Sequence, residues 1–167
     1  MGADLEGMVR IELITPDTER EPIYQFLVEQ MHVHYRRSLD SDHNKYFLQL
    51  AEHYSPDKRS SFYVLYENDE VMGTGCISPL EAHHRRPLHC KDASRVYISP
   101  KSQSSGYGRQ IYKVLETTAK EFGYTHLCLN THKFLTKGCA FWKRHGYIEF
   151  QDMGDEWETI WLSKELV

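Results

Sequence analysis

The stretch Val96–Glu116, VYISPKSQSSGYGRQIYKVLE, changes character twice. VYIS reads as a strand, and Pro100 stops it. Small residues and two glycines follow, and then Ile111, Val114 and Leu115 recur at helical spacing. The segment therefore reads as strand, turn and helix. A helix start leaves its first backbone N–H groups without partners and concentrates partial positive charge there, so the turn is a ready anion site. Gly106 and Gly108 would let ligand atoms approach the backbone with no Cβ in the way, and Ser104 and Ser105 are small hydroxyl donors. The amide of Gln103 can donate to a phosphate oxygen, and Arg109 adds positive charge at the same end. A bare tight turn, a nucleotide phosphate and the pyrophosphate of a larger cofactor all fit this much. The Walker loop does not, because no Gly-Lys is followed by Ser or Thr, and the dinucleotide fingerprint fails at Ile111.

The flanking pattern alternates strands and helices in one domain spanning residues 1–167. Met8–Pro16 alternates as a first strand. From Asp17 a helix follows, with Ile23, Phe26, Leu27, Gln30 and Met31 on one face, and a shorter one starts at Asp40 or Asp42 and ends before Pro56. Ser61–Ser78 reads as a hairpin turning at Asn68 and Asp69, with Gly73 and Gly75 on one face, where missing side chains admit a close neighbour. After the loop Pro79–Asp92 come the strand Ala93–Pro100, the helix ended by Gly123 and the strand Thr125–Thr131. The helix Thr136–Gly146 and two strands, Tyr147–Met153 and Glu158–Leu166, complete the chain. This is an α/β pattern without repeats, and one mixed sheet with helices on both faces accommodates it.

Composition narrows the function classes. With 20 basic against 24 acidic residues, the net charge of −4 argues against bulk binding to a phosphate backbone, so nucleic acid is not an expected partner. No apolar run approaches the roughly 20 residues of a membrane span. The N-terminal MGADLEGMVRIELI lacks the apolar core of a secretory signal, and Gly2 lacks the Ser or Thr of a myristoylation motif. Four cysteines form no CxxC pair, and Cys76 and Cys128 sit in apolar runs as buried thiols would, which suits a reducing compartment. A soluble, cytoplasmic protein is expected.

The block RVYISPKSQSSGYGRQIYKVLE resembles motif A of the GNAT superfamily of acyl-CoA-dependent N-acyltransferases, whose turn runs Gln or Arg, two residues, Gly, one residue, Gly or Ala. HLCLNT resembles the family's next strand and GCAFWKRHGY its following helix. ENDEVMGTGCIS resembles the preceding hairpin, with Gly73 at the usual glycine. The resemblance covers roughly residues 62–166; residues 1–61 match only in the order of their elements. It implies a mixed, mostly antiparallel sheet of about seven strands, splayed at the fourth and fifth, with about four helices. It also implies acetyl-CoA as cosubstrate and no metal. The pyrophosphate would lie on Gln103, Ser104, Ser105, Gly106, Tyr107, Gly108 and Arg109. The pantetheine arm would lie along the backbone of Tyr97 and Ile98, near Asn130 and Trp142.

The implied reaction is direct attack, in a ternary complex, of the primary amine of a small molecule on the thioester. Asp92, eleven residues before Gln103, falls at the carboxylate that some members use as a base. The family's usual tyrosine falls at Trp142, which can donate a hydrogen bond but not a proton. Tyr97, or alternatively Tyr147, is then the candidate acid. His83, His84 and His89 in the loop are further proton acceptors, and with Cys90 they do not make a recognised metal-ligand spacing. A protein acetyltransferase and a non-catalytic acyl-CoA-binding module are the alternatives, and a homodimer is left open.

Overall fold

A computed structural model describes residues 8–35, 54–80 and 93–167. The expected helix from Asp40 or Asp42, and the loop carrying Asp92, His83, His84, His89 and Cys90, lie outside the described residues. Seven strands form one mixed sheet: β1 (Val9–Leu13), β2 (Ser61–Glu67), β3 (Glu70–Pro79), β4 (Ala93–Ile98), β5 (His126–His132), β6 (Ile148–Asp152) and β7 (Thr159–Glu165). Their spatial order is β1-β2-β3-β4-β5-β7-β6, and every neighbouring pair is antiparallel except β4 and β5. The α-helices among the described residues are α1 (Glu21–Tyr35), α2 (Pro100–Ser105), α3 (Tyr107–Glu121) and α4 (Thr136–Arg144), and a 3-10 turn spans Pro56–Lys58.

The alternation of side chains along β4 assigns the two faces of the sheet. Val96 and Ile98 join Ile111, Leu115, Leu129 and Phe141 in the core beneath α3 and α4. Tyr97 packs on the other face, with Ile23, Phe26 and Leu27 of α1 and with Cys76 of β3. Helices thus cover both faces, as the strand–helix alternation requires. The hairpin turn is set by Asn68 and Asp69, whose φ angles of 51° and 67° are those of a type I′ turn. Gly123 and Gly146 end α3 and α4 in the left-handed region. Each lies before a residue whose N–H reaches back five positions, Tyr124 to Ala119 and Tyr147 to Trp142.

Two glycines of β3 are explained by what lies above them. A Cβ on Gly73 would stand 2.3 Å from the Ser102 hydroxyl, and one on Gly75 would stand 2.3 Å from the Ile111 side chain. The close neighbours are therefore the side chains of α2 and α3, which these glycines seat against the sheet. Burying Leu115 and Ile111 fully on this face contributes roughly 1.5–3 kcal/mol per side chain.

Candidate active site

The site begins where β4 and β5 part. They pair in parallel through Ala93 with His126, Ser94 with Leu127 and Arg95 with Cys128, and no ladder continues beyond that rung. Both strands run on. β4 stays paired to β3 through Ile98, and β5 stays paired to β7 through His132. Parting of two still-extended strands leaves a wedge, and a cleft of about 310 Å³ fills it, lined by Val96, Tyr97, Ile98, Gln103, Leu129, Asn130, Phe134, Gly138 and Trp142, among others.

Ladder phase decides which backbone groups face the cleft. The N–H of Ser99 donates to the carbonyl of Thr74 at 2.9 Å, so Ser99 belongs to a hydrogen-bonded pair with β3. Antiparallel pairing alternates, so Tyr97, opposite Cys76, is bonded to β3 as well, while Val96 and Ile98 turn their N–H and C=O groups toward β5. The sequence assigned the arm to the backbone of Tyr97 and Ile98. Tyr97's backbone is spent on β3, so of these two only Ile98 turns backbone groups away from β3, as Val96 also does. Tyr97's half-buried side chain lies among the α1-facing residues and also borders the cleft.

Residues 100–105, read from sequence as part of the turn, form a short helix of their own. Proline at its first position suits a helix start, and the buried side chain of Gln30, from α1, accepts the Lys101 N–H at 2.9 Å. Gly106, at φ 86°, then redirects the chain into α3, whose N-terminus is capped by no side chain. A Cβ on Gly106 would meet nothing within 4 Å, so its surroundings are open. Gly108 differs from the expectation. It is buried, and a Cβ there would stand 2.8 Å from the Ser102 carbonyl and 3.0 Å from the Phe141 ring, so this glycine allows helix packing rather than ligand approach.

Gln103 turns inward. Its Nε2 donates to the Ile98 carbonyl at 2.8 Å, and its Oε1 occupies the space that a Cβ on Gly138 of α4 would need. The amide proposed for a phosphate thus ties the end of β4 to the start of α4. Ser105 donates to the Ser102 carbonyl at 3.3 Å, and the Tyr107 hydroxyl donates to Glu67 of β2, which raises the pKa of the phenol. The side chain of Ser104 lies outside what the structure describes. Residues 105–109 border α3's N-terminus and do not line the cleft, and Arg109 is exposed there. Tyr97, Ile98, Gln103, Asn130 and Trp142 are brought together around it. Val96, Phe134 and Gly138 also line it and were not singled out from sequence.

The aromatic residues on the α4 side form a packed group. Trp142 is buried, its ring centroid 5.1 Å from that of Tyr147 and 5.0 Å from that of Phe141. Tyr147 lies behind it, accepting a hydrogen bond from Tyr112 at 3.1 Å. Burial, and next the neighbouring Tyr112, hold its pKa well above the ordinary phenol value. It borders Trp142 and not the cleft, so as a proton donor it is poorly placed. Among the described residues no group of three or more His, Cys, Asp or Glu side chains is arranged to hold a metal ion, and no helix is long and apolar enough to cross a membrane.

Known proteins share this architecture. An acetyltransferase of the GNAT family from Staphylococcus aureus Mu50 superposes with a TM-score of 0.73 at 14% identity, covering 95% of this chain and 99% of its own. The yncA protein of Salmonella typhimurium, solved with its cofactor acetyl-CoA, gives 0.67 at 13% identity, covering 95% and 94%. In sequence, "Probable N-acetyltransferase 14" of Xenopus tropicalis is 26% identical over 99 residues, which are 59% of this chain and 46% of that protein. The chain therefore spans less than half the length of that curated relative. The model of the "Acetyltransferase (GNAT) family" matches residues 22–147, from α1 through the end of the α4 motif. With the parted fourth and fifth strands and the glycine turn between them and α3, that match places the chain in the acetyltransferase (GNAT) family.

Proposed function

We propose that the protein is an N-acetyltransferase that moves an acetyl group from acetyl-CoA to the primary amine of a small molecule, by direct attack within a ternary complex. The observation that carries this reading is the wedge between β4 and β5, which leaves the Val96 carbonyl and the outward backbone groups of Ile98 without a strand partner and lies beside α3's uncapped N-terminus.

Those features suit the cosubstrate. An extended amide-bearing arm can pair with a free strand edge as an added strand does, and a diphosphate suits the amides of a helix start beside Gly106, where no Cβ intervenes. When bound, acetyl-CoA supplies an activated thioester, whose C–S bond is exchanged for a C–N bond with loss of one amine proton. The chain's own part is to hold and orient. Val96 and Ile98 fix the arm's register: Ile98's carbonyl is already engaged by Gln103 and the Val96 N–H by Cys128 at the last rung, which leaves the Ile98 N–H and the Val96 carbonyl for pairing. Trp142 closes the α4 side and keeps water from it.

An arm reaching back along β4 brings the thioester near the strand's start, where Asp92 immediately precedes Ala93 in sequence. Asp92 is the proposed acceptor of the amine proton. No tyrosine need protonate the leaving group, since a thiolate departs readily on its own.

Trp142 in place of the family's tyrosine favours one second reading, an acyl-CoA-binding module without turnover. The deciding experiment incubates the purified protein with acetyl-CoA and a panel of amines, follows free thiol, and weighs the products by mass spectrometry. A product 42 Da heavier than its amine, as replacing H by acetyl requires, with stoichiometric thiol release supports the enzyme; binding of acetyl-CoA with no amine-dependent thiol supports the module.

A further inference from the structure

The rung at which β4 and β5 part carries a guanidinium. Arg95 is the last β4 residue paired to β5, opposite Cys128, and it sits in the central strand of the seven. By alternation its side chain shares the face of Tyr97 and Asn130, the face away from α3 and α4. Its charge acts on the buried Cys76 thiol of β3, opposing the burial that pushes that thiol up to about 11. The group is half-buried, and among the described residues no hydrogen bond or ion pair answers it. Two other half-buried arginines are answered, Arg10 by Glu12 and Asp69 and Arg59 by the Phe122 carbonyl and the Tyr124 ring, whereas Arg20 keeps a buried Nε without a partner. A guanidinium held part-way out of water without a counter-ion is unfavourable, and its fork matches a carboxylate in two parallel hydrogen bonds.

We propose that Arg95 recognises an anionic group on the acceptor, so that the amine this protein acetylates also carries a carboxylate. The inference rests on the acetyl-transfer reading above, because it is the apex of the cleft that brings the acceptor to Arg95. Arg95 then acts by binding and orienting the acceptor, with the amine directed at the thioester from the face shared by Tyr97 and Asn130. It takes no part in proton transfer. The same charge disfavours purely cationic acceptors such as polyamines, although the chain is acidic overall.

The test compares kcat/KM for glycine, β-alanine and 4-aminobutyrate with methylamine, ethylamine and propylamine, the same chains lacking the carboxylate. The expected result is a preference for the acid of about 10- to 100-fold in at least one pair, the range that a charge-assisted bidentate contact supplies. Arg95→Gln should bring that ratio to near one, mainly through acceptor KM, while acetyl-CoA affinity by calorimetry stays within about twofold; Arg95→Lys should keep part of the preference. As a readout without turnover, the N-acetyl form of the preferred acid should give heat with the native protein and none with Arg95→Gln. Turnover with no preference for the acid, or a preference that survives Arg95→Gln, overturns this inference alone. Acetyl-CoA binding without turnover of any amine overturns the acetyl-transfer reading and this inference together. Should Arg95→Gln not fold, the native protein's own selectivity and Arg95→Lys still decide.

Discussion

At Gly138 a single absent methyl group sets the position of Gln103. Its Cβ would stand 2.8 Å from Gln103 Oε1, so Gly138→Ala should rotate the amide away and release the Ile98 carbonyl. Loss of that one hydrogen bond costs about 1 kcal/mol, to be read as a lower denaturant midpoint, and it should weaken acetyl-CoA binding by disturbing the edge that pairs the arm. Unaltered midpoint and affinity would remove Gln103 from the positioning role. Gly106 permits a cleaner test of the anion site, because Asn and Asp both tolerate its left-handed φ and a side chain there meets open space. Gly106→Asp should bind acetyl-CoA about tenfold or more weakly than Gly106→Asn, with similar melting temperatures, since the two differ mainly in a charge near a diphosphate. Equal affinities would contradict the assignment. Gly108 does not serve this purpose, because any side chain there strikes the Ser102 carbonyl. His145 offers a test by pH. Burial, and next the charge of Lys164, lower its pKa, so the unfolded chain takes up the proton first as pH falls. Its contribution to stability is therefore complete above the unfolded value near pH 6.5 and is lost below it. Melting temperature should drop between pH 7.5 and 5.5, and less steeply in His145→Gln; identical slopes would sink this account.

Among the elements, β4 carries the argument, and a measurement on it separates the two orientations of its backbone. The amide of Ile98 faces the cleft, that of Val96 is bound at the last rung to Cys128, and that of Tyr97 faces β3. Hydrogen exchange should thus be slow at Tyr97 and Val96 with or without acetyl-CoA, while Ile98 gains protection when it is added. Protection appearing at Tyr97 alone would reverse the proposed phase. The order of elements was legible in the sequence because strands, caps and glycine stops each leave local signals, as at Asn68-Asp69 and at Gly123. Ladder phase was not, since it depends on how β4 meets β3 across the long loop between them. The α2 turn was hidden for a similar reason. Pro100–Ser105 has the small polar composition of a loop, and the contact that caps it comes from Gln30, 71 positions away. The two motif glycines look alike in sequence, yet Gly106 faces open space and Gly108 faces a helix, a distinction that only packing makes.

For the whole molecule, the claim is that a seven-stranded sheet parts at its fourth and fifth strands to hold acetyl-CoA. The half of the sheet beyond the parting, β5, β7 and β6, is joined to the rest through three parallel rungs and by α3 and α4. Filling the cleft should therefore stabilise the fold, raising the melting temperature with acetyl-CoA concentration as mass action requires. Titration of acetyl-CoA into the folded protein by calorimetry is the most direct test. The account predicts saturable one-site heat with a dissociation constant below about 1 mM, equivalent to at least about 4 kcal/mol, weakened in Gly106→Asp. No heat at millimolar concentrations from protein whose fold is verified would contradict it.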